Sequence, residues 1–279
     1  MEYGDKHILV LGAGASGIGA SWVLAQVGAH VVLNDYKPVT LPADEEKRLV
    51  SAGVDIITGR QDESLLDGVD RIVISPGISL DIPIVKAAQA RGIDVVSEVE
   101  VAYELSKSPI VAVTGTNGKT TTTTLLTKVL EGPGKPVRVG GNIGDSLSEV
   151  AYSMPADGFL VAELSSYQLE TIKHFRPIGA IMLNITPDHL ARHKTMENYI
   201  AAKERIFENQ LSTDFMVLNI DDPIVADMKH CVPSHILEIS QHQVVSNGAY
   251  YDKGQCYVTK NGIATPVIGS ADIHIPGSH

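Results

Sequence analysis

The sequence predicts an α/β protein in two units. Residues 1–96 form an N-terminal Rossmann-like parallel-sheet domain, and residues 97–279 a central P-loop-type α/β domain with a small β-hairpin tail. Three observations predict this. Apolar strand-like runs alternate with helical ones through the first two thirds of the chain. Two glycine loops, Gly12 to Gly17 and Gly115 to Gly118, each follow an apolar run and open a helical one. Between them, Ser108-Pro109 interrupts the alternation and marks a boundary.

In order, His7 to Leu11 reads as a strand, Gly17 to Val27 as a helix stopped by Gly28, and His30 to Asn34 as a strand. Asp44 to Ala52 is expected to be a helix ended by Gly53, Val54 to Ile57 a strand, and Arg71 to Ile74 a buried strand. Pro83 to Arg91 reads as a helix ended by Gly92, and Val95 and Val96 close the first unit. Ser97 to Lys107 is an acidic, partly helical connector. The second unit is expected to hold a strand from Ile110 to Val113, a helix from Thr121 to Leu130, and strands at Phe159 to Ala162 and Ala180 to Leu183. A long helix from Met196 to Asn209 and a strand from Phe215 to Leu218 follow. From His235 onward, short strands with Asn247-Gly248, Lys253-Gly254 and Asn261-Gly262 turns predict hairpins.

Composition narrows the function classes. A length of 279 residues with 44% apolar content supports two cores, and a net charge of −11 leaves no basic stripe for nucleic acid. The polar N-terminus and the lack of a long apolar run argue against export and against a membrane partner. Cys231 and Cys256 lack C-x-x-C spacing and suggest neither a disulfide framework nor a thiolate zinc site, which fits a reduced cytoplasm; a monomer is expected.

The run Val113-Thr114-Gly115-Thr116-Asn117-Gly118-Lys119-Thr120-Thr121 is a phosphate cradle. A strand feeds a glycine turn and then a helix start, where backbone N–H groups converge on an anion. Lys119 adds positive charge for the β/γ-phosphates, and the Thr120 hydroxyl is placed for Mg²⁺. Val113 stands where the strict G-x-x-x-x-G-K-[ST] pattern has its first glycine, so the loop is a variant that still predicts a bound nucleoside triphosphate. The first loop, Gly12-Ala13-Gly14-Ala15-Ser16-Gly17, satisfies G-x-G-x-x-G, with Asp35 at the end of the next strand. Three explanations stand at this level: a dinucleotide site of an NAD-dependent oxidoreductase, glycines serving only strand–helix packing while Asp35 caps a loop, or a diphosphate site for a UDP-linked molecule.

Seven ordered motifs together resemble the Mur ligase family. They are the Gly12 to Gly17 loop, Ser75-Pro76-Gly77-Ile78, the Gly115 to Thr121 loop, Gly140-Gly141-Asn142-Ile143-Gly144, Glu163 through Glu170, Asn184 through Asp188-His189, and Ala201-Ala202-Lys203. The resemblance covers essentially the whole chain and implies an ATP-dependent amide ligase of peptidoglycan precursor synthesis. Its carboxylate substrate would be activated as an acyl phosphate. Asn117 and the Ser75 to Ile78 motif favour the branch that adds D-glutamate to UDP-N-acetylmuramoyl-L-alanine, with another amino-acid specificity as the alternative.

Carried onto this sequence, the resemblance implies that Ala15, Ser16, Asp35, Tyr36 and Lys37 surround the uridine and diphosphate, with Ser75, Gly77, Asn142, Ser165 and His189 completing the substrate site. Gly115, Thr116, Asn117, Gly118, Lys119, Thr120 and Thr121 would bind ATP. Two Mg²⁺ sites are implied, with Thr120, Glu163, His189 and Lys203 as ligands, and Lys119, Glu163, His189 and Lys203 as the catalytic set. Lys203 is implied to be carbamylated by CO₂. Without the motif, His189 would read as a structural loop histidine and Lys203 as a solvated helical lysine. The chain departs from the family in Ala191-Arg192-His193, where the family carries Asp before Arg. It also stops at Ile275-Pro276-Gly277-Ser278-His279, where the family continues into a third domain. A truncated ligase, inactive alone, is therefore expected. The acidic pair Asp221-Asp222 reads as a turn, and the remaining histidines as surface residues.

Overall fold

A computed structural model describes residues 3–132 and 134–273. The Ile275 to His279 motif lies outside the described residues. The first unit runs β1 (His7–Leu11), α1 (Ala15–Gln26), β2 (His30–Asp35), α2 (Ala43–Ser51), β3 (Asp55–Thr58), β4 (Arg71–Ile74), α3 (Pro83–Ala90), β5 (Asp94–Ser97) and α4 (Glu98–Leu105). Its sheet has the order β3-β2-β1-β4-β5 with every pair parallel. Ile8 to Leu11 and Arg71 to Ile74 are buried throughout, because helices cover both faces of a parallel sheet. One face packs Ile8, Val10, Leu24, Leu33 and Leu49; the other packs Leu9, Leu11, Ile72, Ile74 and Val85.

The second unit runs β6 (Ile110–Thr114), α5 (Lys119–Glu131), β7 (Val137–Gly141), α6 (Leu147–Ser153), β8 (Phe159–Glu163), α7 (Ser166–Leu169), β9 (Gly179–Met182), α8 (Leu190–His193), α9 (Met196–Glu204), β10 (Phe215–Asn219) and α10 (Pro223–Asp227). It closes with β11 (His235–Ser240), β12 (Gly248–Asp252), β13 (Gln255–Lys260) and β14 (Ile263–Gly269). The sheet order is β14-β13-β12-β11-β10-β9-β6-β8-β7. Pairing is parallel up to β12 and antiparallel from β12 through β14, so the hairpin tail extends the main sheet.

Several elements differ from expectation. The expected long helix from Met196 ends its α-helical part at Glu204 and continues as a 3₁₀ turn over Arg205–Phe207. The connector after Ser97 is the helix α4, which contributes to both units: Val101 joins the first core, and Val99 and Ala102 join the second. The strand β7 and the helix α6 were not anticipated. A side-chain cap starts α6, where Ser146 Oγ accepts from the Glu149 N–H. Close approach joins this helix to the first unit. A Cβ added at Gly19 would stand 2.1 Å from Ser146 Oγ, Arg48 forms an ion pair with Glu149, and the Trp22 ring meets Tyr152 edge-on at 6.0 Å. Glu98, fully buried at the start of α4, accepts from Ser146 Oγ and from the Ser148 N–H and Oγ, while burial pushes its carboxyl above the usual range.

Candidate functional site

In an open parallel sheet, ligands gather beyond the C-terminal strand ends. Three neighbouring strands deliver their ends here: β6 leads into the glycine loop, β8 ends at Glu163, and β9 leads to Asn184. Register fixes their relation, since Val113 pairs with Glu163 on one side and with Ile181 on the other.

Backbone geometry demands the loop glycines. Gly115 has φ 151° and Gly118 φ 84°, and a Cβ on Gly115 would stand 2.9 Å from the Leu183 side chain. Asn184 clamps the loop from β9, accepting the Asn117 N–H at 2.8 Å and donating to the Asn117 carbonyl at 3.0 Å. Its carbonyl also accepts the Thr116 N–H at 2.9 Å. Thr116 Oγ1 lies 3.0 Å from the Tyr199 hydroxyl and accepts the Thr186 N–H. Gly118 caps α5, so the N–H groups of Gly118, Lys119, Thr120 and Thr121 have no helical acceptor and point out of the helix start. Lys119 Nζ folds back onto the carbonyls of Gly115 at 3.1 Å and Thr116 at 2.8 Å. Thr120 and Thr121 are exposed.

Two buried groups converge on this loop. Lys203, on α9, is 2% exposed and donates to the Gly115 carbonyl at 2.8 Å, with Thr114 Oγ1 at 3.4 Å. Burial, aided by the neighbouring Lys119, pulls its amine down to about 7. Asp188 acts on it in the opposite direction. Glu163 is 1% exposed; its Oε1 accepts from Asn142 Nδ2 at 2.8 Å, whereas Oε2 has no hydrogen-bond partner among the described residues. The Asn142 N–H donates to the Glu163 carbonyl, and Gly141 is doubly required, with φ 111° and with that carbonyl 2.4 Å from where a Cβ would stand. An orphaned, buried carboxyl oxygen beside a phosphate loop fits a divalent cation, which would satisfy it. Among the described residues no group of three or more His, Cys, Asp or Glu side chains is assembled to hold a metal. A cation here would thus rely on Glu163, the Thr120 hydroxyl and phosphate oxygens.

His189 is half-exposed in the loop after β9, with φ 54° and its Nε2 3.3 Å from Asp188 Oδ2; its ring lies 6.5 Å from that of Tyr199, whose face Lys203 Nζ also meets at 5.0 Å. The His189 ring lies 4.9 Å from that of Tyr167. His193, expected on the surface, is instead buried: Nε2 pairs with Ser166 Oγ at 2.9 Å and the ring stacks on Tyr167. Burial lowers its pKa. Ser165 is committed to a capping box with Gln168, its hydroxyl donating to Gln168 Oε1.

In the first unit the loops after β1, β2 and β4 share the C-terminal edge of the sheet. Ala15 and Ser16 open α1, whose first N–H groups have no acceptor within the helix. The carboxyl of Asp35 accepts the Ala13 N–H at 3.0 Å and the Lys37 N–H at 2.9 Å, so both its oxygens brace the two loops. Tyr36 is 69% exposed, and Ser75 Oγ donates to the Gly12 carbonyl. A Cβ on Gly17 would stand 1.8 Å from that same carbonyl, and Gly77 lies open with nothing near. Arg192 of α8 reaches across from the second unit to the Pro76 carbonyl, bringing the two loop edges together. Sequence reasoning assigned Arg192, Tyr167 and Tyr199 no role in this neighbourhood, although Tyr167 lies within the Glu163 to Glu170 motif, Arg192 within the Ala191-Arg192-His193 departure, and Tyr199 two residues before Ala201-Ala202-Lys203. It left Asp221 and Asp222 out, and both have structural work: Asp222 caps α10 and accepts the Ile185 N–H, and Asp221 accepts from Ser240 Oγ.

A mostly parallel sheet with an interior strand that runs into a glycine-lysine loop, joined to a second, wholly parallel sheet, defines a phosphate-loop α/β protein of two units. The chain belongs to the Mur ligase family: the description "Mur ligase middle domain" matches residues 113–279, and "Mur ligase MurD-like, N-terminal domain" matches residues 6–97. A UDP-N-acetylmuramoylalanine–D-glutamate ligase of Thermoanaerobacter sp. (strain X514) is 44% identical over 279 residues, covering all of this chain and 62% of that protein. One of the same name from Halalkalibacterium halodurans is 42% identical over 278 residues, 61% of its length. This chain thus spans about three fifths of the curated relatives it matches. Among solved structures, the UDP-N-acetylmuramate:L-alanyl-gamma-D-glutamyl-meso-diaminopimelate ligase from Neisseria meningitides superposes with a TM-score of 0.62 at 20% identity, over 93% of this chain and 86% of that one. That likeness is one of fold.

Proposed function

We propose that this chain carries the nucleotide-sugar and ATP-binding parts of an ATP-dependent amide ligase that adds D-glutamate to UDP-N-acetylmuramoyl-L-alanine. The relatives' printed names and the matched family support it. The observation that carries the chemistry is the meeting of Lys119, Lys203 and the orphaned Glu163 oxygen around one phosphate loop. Activating a carboxylate with ATP brings two anions together, and the loop answers with the N–H groups at the start of α5 and the Lys119 ammonium. Magnesium, when bound, neutralises phosphate charge there. Glu163 and Thr120 would hold one ion, and His189 with a carbamylated Lys203 the other. An amine drawn down to about 7 is largely uncharged at slightly alkaline pH, the form that adds CO₂.

We assign residues 1–96 to the UDP-linked substrate, with Ala15, Ser16, Asp35, Tyr36, Lys37, Ser75 and Gly77 around it, and residues 97–279 to ATP. Asn142, Ser165 and His189 extend the substrate site. Asp35 braces loops through backbone N–H groups, so it shapes this site and leaves direct ligand contact to its neighbours. We place the protein in the cytoplasm as a monomer; among the described residues no helix is long and apolar enough to cross a membrane. Titration calorimetry tests the assignment. UDP-N-acetylmuramoyl-L-alanine and Mg²⁺-ATP should each bind and NAD should not; NAD binding without UDP binding would overturn it.

A further inference from the structure

We propose that Arg192 is a positioning residue that ties the Ser75–Gly77 loop of the first unit to the His189 segment of the second, so that a nucleoside diphosphate on the first unit sets the placement of His189. It rests on the assignment of the first unit to a UDP-linked ligand.

Three contacts fix the guanidinium. Nη1 donates to the Pro76 carbonyl and Nη2 to Glu170 Oε2, both at 2.5 Å, and its central carbon lies 4.2 Å from the centre of the Tyr167 ring. The planar fork serves two acceptors while its face covers an aromatic ring, a combination a lysine ammonium does not reproduce. Beyond Tyr167 the contacts continue directly to His189, at 4.9 Å, and to His193, at 5.3 Å. Glu170 closes the circuit, its Oε1 3.4 Å from His193 Nδ1.

The segment needs such support. α8 has four residues, bounded by His189 at φ 54° and Lys194 at φ 72°, both left-handed and neither glycine. So short a helix gains little from its own hydrogen bonds, and its flanks are strained, so side-chain contacts decide where it rests. At the other end, Pro76 lies between Ser75 and Gly77, and Gly77 has open space around it. A ligand that shifts this loop moves the carbonyl that Arg192 holds, and with it the guanidinium face that covers Tyr167, on whose ring His189 packs.

The test is imidazole ¹⁵N NMR on the 279-residue chain with UDP as the probe, comparing the unsubstituted chain with Arg192→Lys and Arg192→Gln. UDP is expected to shift the His189 and His193 signals of the unsubstituted chain. Both variants should bind UDP within about twofold of it yet lose those shifts. Arg192→Lys keeps the charge beside Glu170, so its thermal melt controls for folding. Retained shifts in the variants, or UDP binding to the unsubstituted chain without a shift, overturn the proposal. If the unsubstituted chain binds no UDP, the nucleotide assignment of the first unit fails instead. The ligand-free spectra then decide for Arg192: changed His189 signals in both variants uphold its positioning role, and unchanged ones overturn it.

Discussion

Lys203 Nζ donates to the Gly115 carbonyl at 2.8 Å across 88 residues of sequence, so the α9 lysine is bonded to the glycine turn that opens α5. Its amine titrates at about 7 in the fold and at 10.5 when unperturbed. Between these values the unfolded chain holds the extra proton, so stability rises with pH over that window and the handicap is complete below about 7. Lys203→Met should therefore be more stable than the unsubstituted chain near pH 6, and the gap should shrink toward pH 10, as read by urea unfolding. A pH-independent gap would contradict the buried-amine description.

The same uncharged amine should capture CO₂. Intact-mass spectra under native conditions in bicarbonate at mildly alkaline pH should show a species heavier by one CO₂, and Lys203→Met should lack it. Equal occupancy in both proteins would place the adduct elsewhere.

Lys119 spends its ammonium on two carbonyls of its own loop, at 3.1 and 2.8 Å. Phosphate must draw it away, trading neutral acceptors for a charged one. Lys119→Ala is expected to weaken ATP binding by about ten- to a hundredfold by calorimetry, in line with about 1.5–3 kcal/mol for a charge-assisted hydrogen bond. An unchanged affinity would remove the lysine from the site.

Glu163 keeps one buried oxygen without a partner among the described residues. Glu163→Gln retains the shape and the bond from Asn142 while removing the anion, so folding stability should change by less than about 1 kcal/mol. The Mg²⁺ dependence of ATP binding should fall by about tenfold or more. Should the variant keep its full response to Mg²⁺, another residue holds the ion.

Gly19 faces Ser146 and Glu149, and an added Cβ would meet the Ser146 Cβ at 2.4 Å. Gly19→Ala must push α1 and α6 apart, which is expected to cost about 1–3 kcal/mol in urea unfolding. A variant as stable as the parent would show that the helices separate freely.

Strand-forming runs with helices on both faces announce themselves: Ile8 to Leu11 and Ile72 to Ile74 are continuous apolar stretches, and both sheets followed from such stretches. The strand β7 escaped notice because Val137, Arg138 and Val139 are followed by two glycines and lie at the sheet edge, where burial is incomplete. In the glycine loop, Gly115 and Gly118 were legible because their backbone restricts residue type, and Lys119 because it follows them in a Gly-Lys-Thr pattern. Lys203 and His189 were not legible without family motifs, since an isolated lysine on a helix carries no mark of burial. Asp35 had the right spacing for ribose recognition, but its oxygens serve Ala13 and Lys37, a use no spacing rule distinguishes. Arg192 and Tyr167 act through contacts between segments distant in sequence.

The helix α4 gives Val101 to one core and Val99 with Ala102 to the other. A structural wall shared by two rooms cannot be taken down for one of them. Severing the chain ahead of this helix would strip apolar lining from the N-terminal half, and severing behind it would do the same to the C-terminal half. The pair should therefore melt in a single calorimetric peak, with the two halves acting as one cooperative unit.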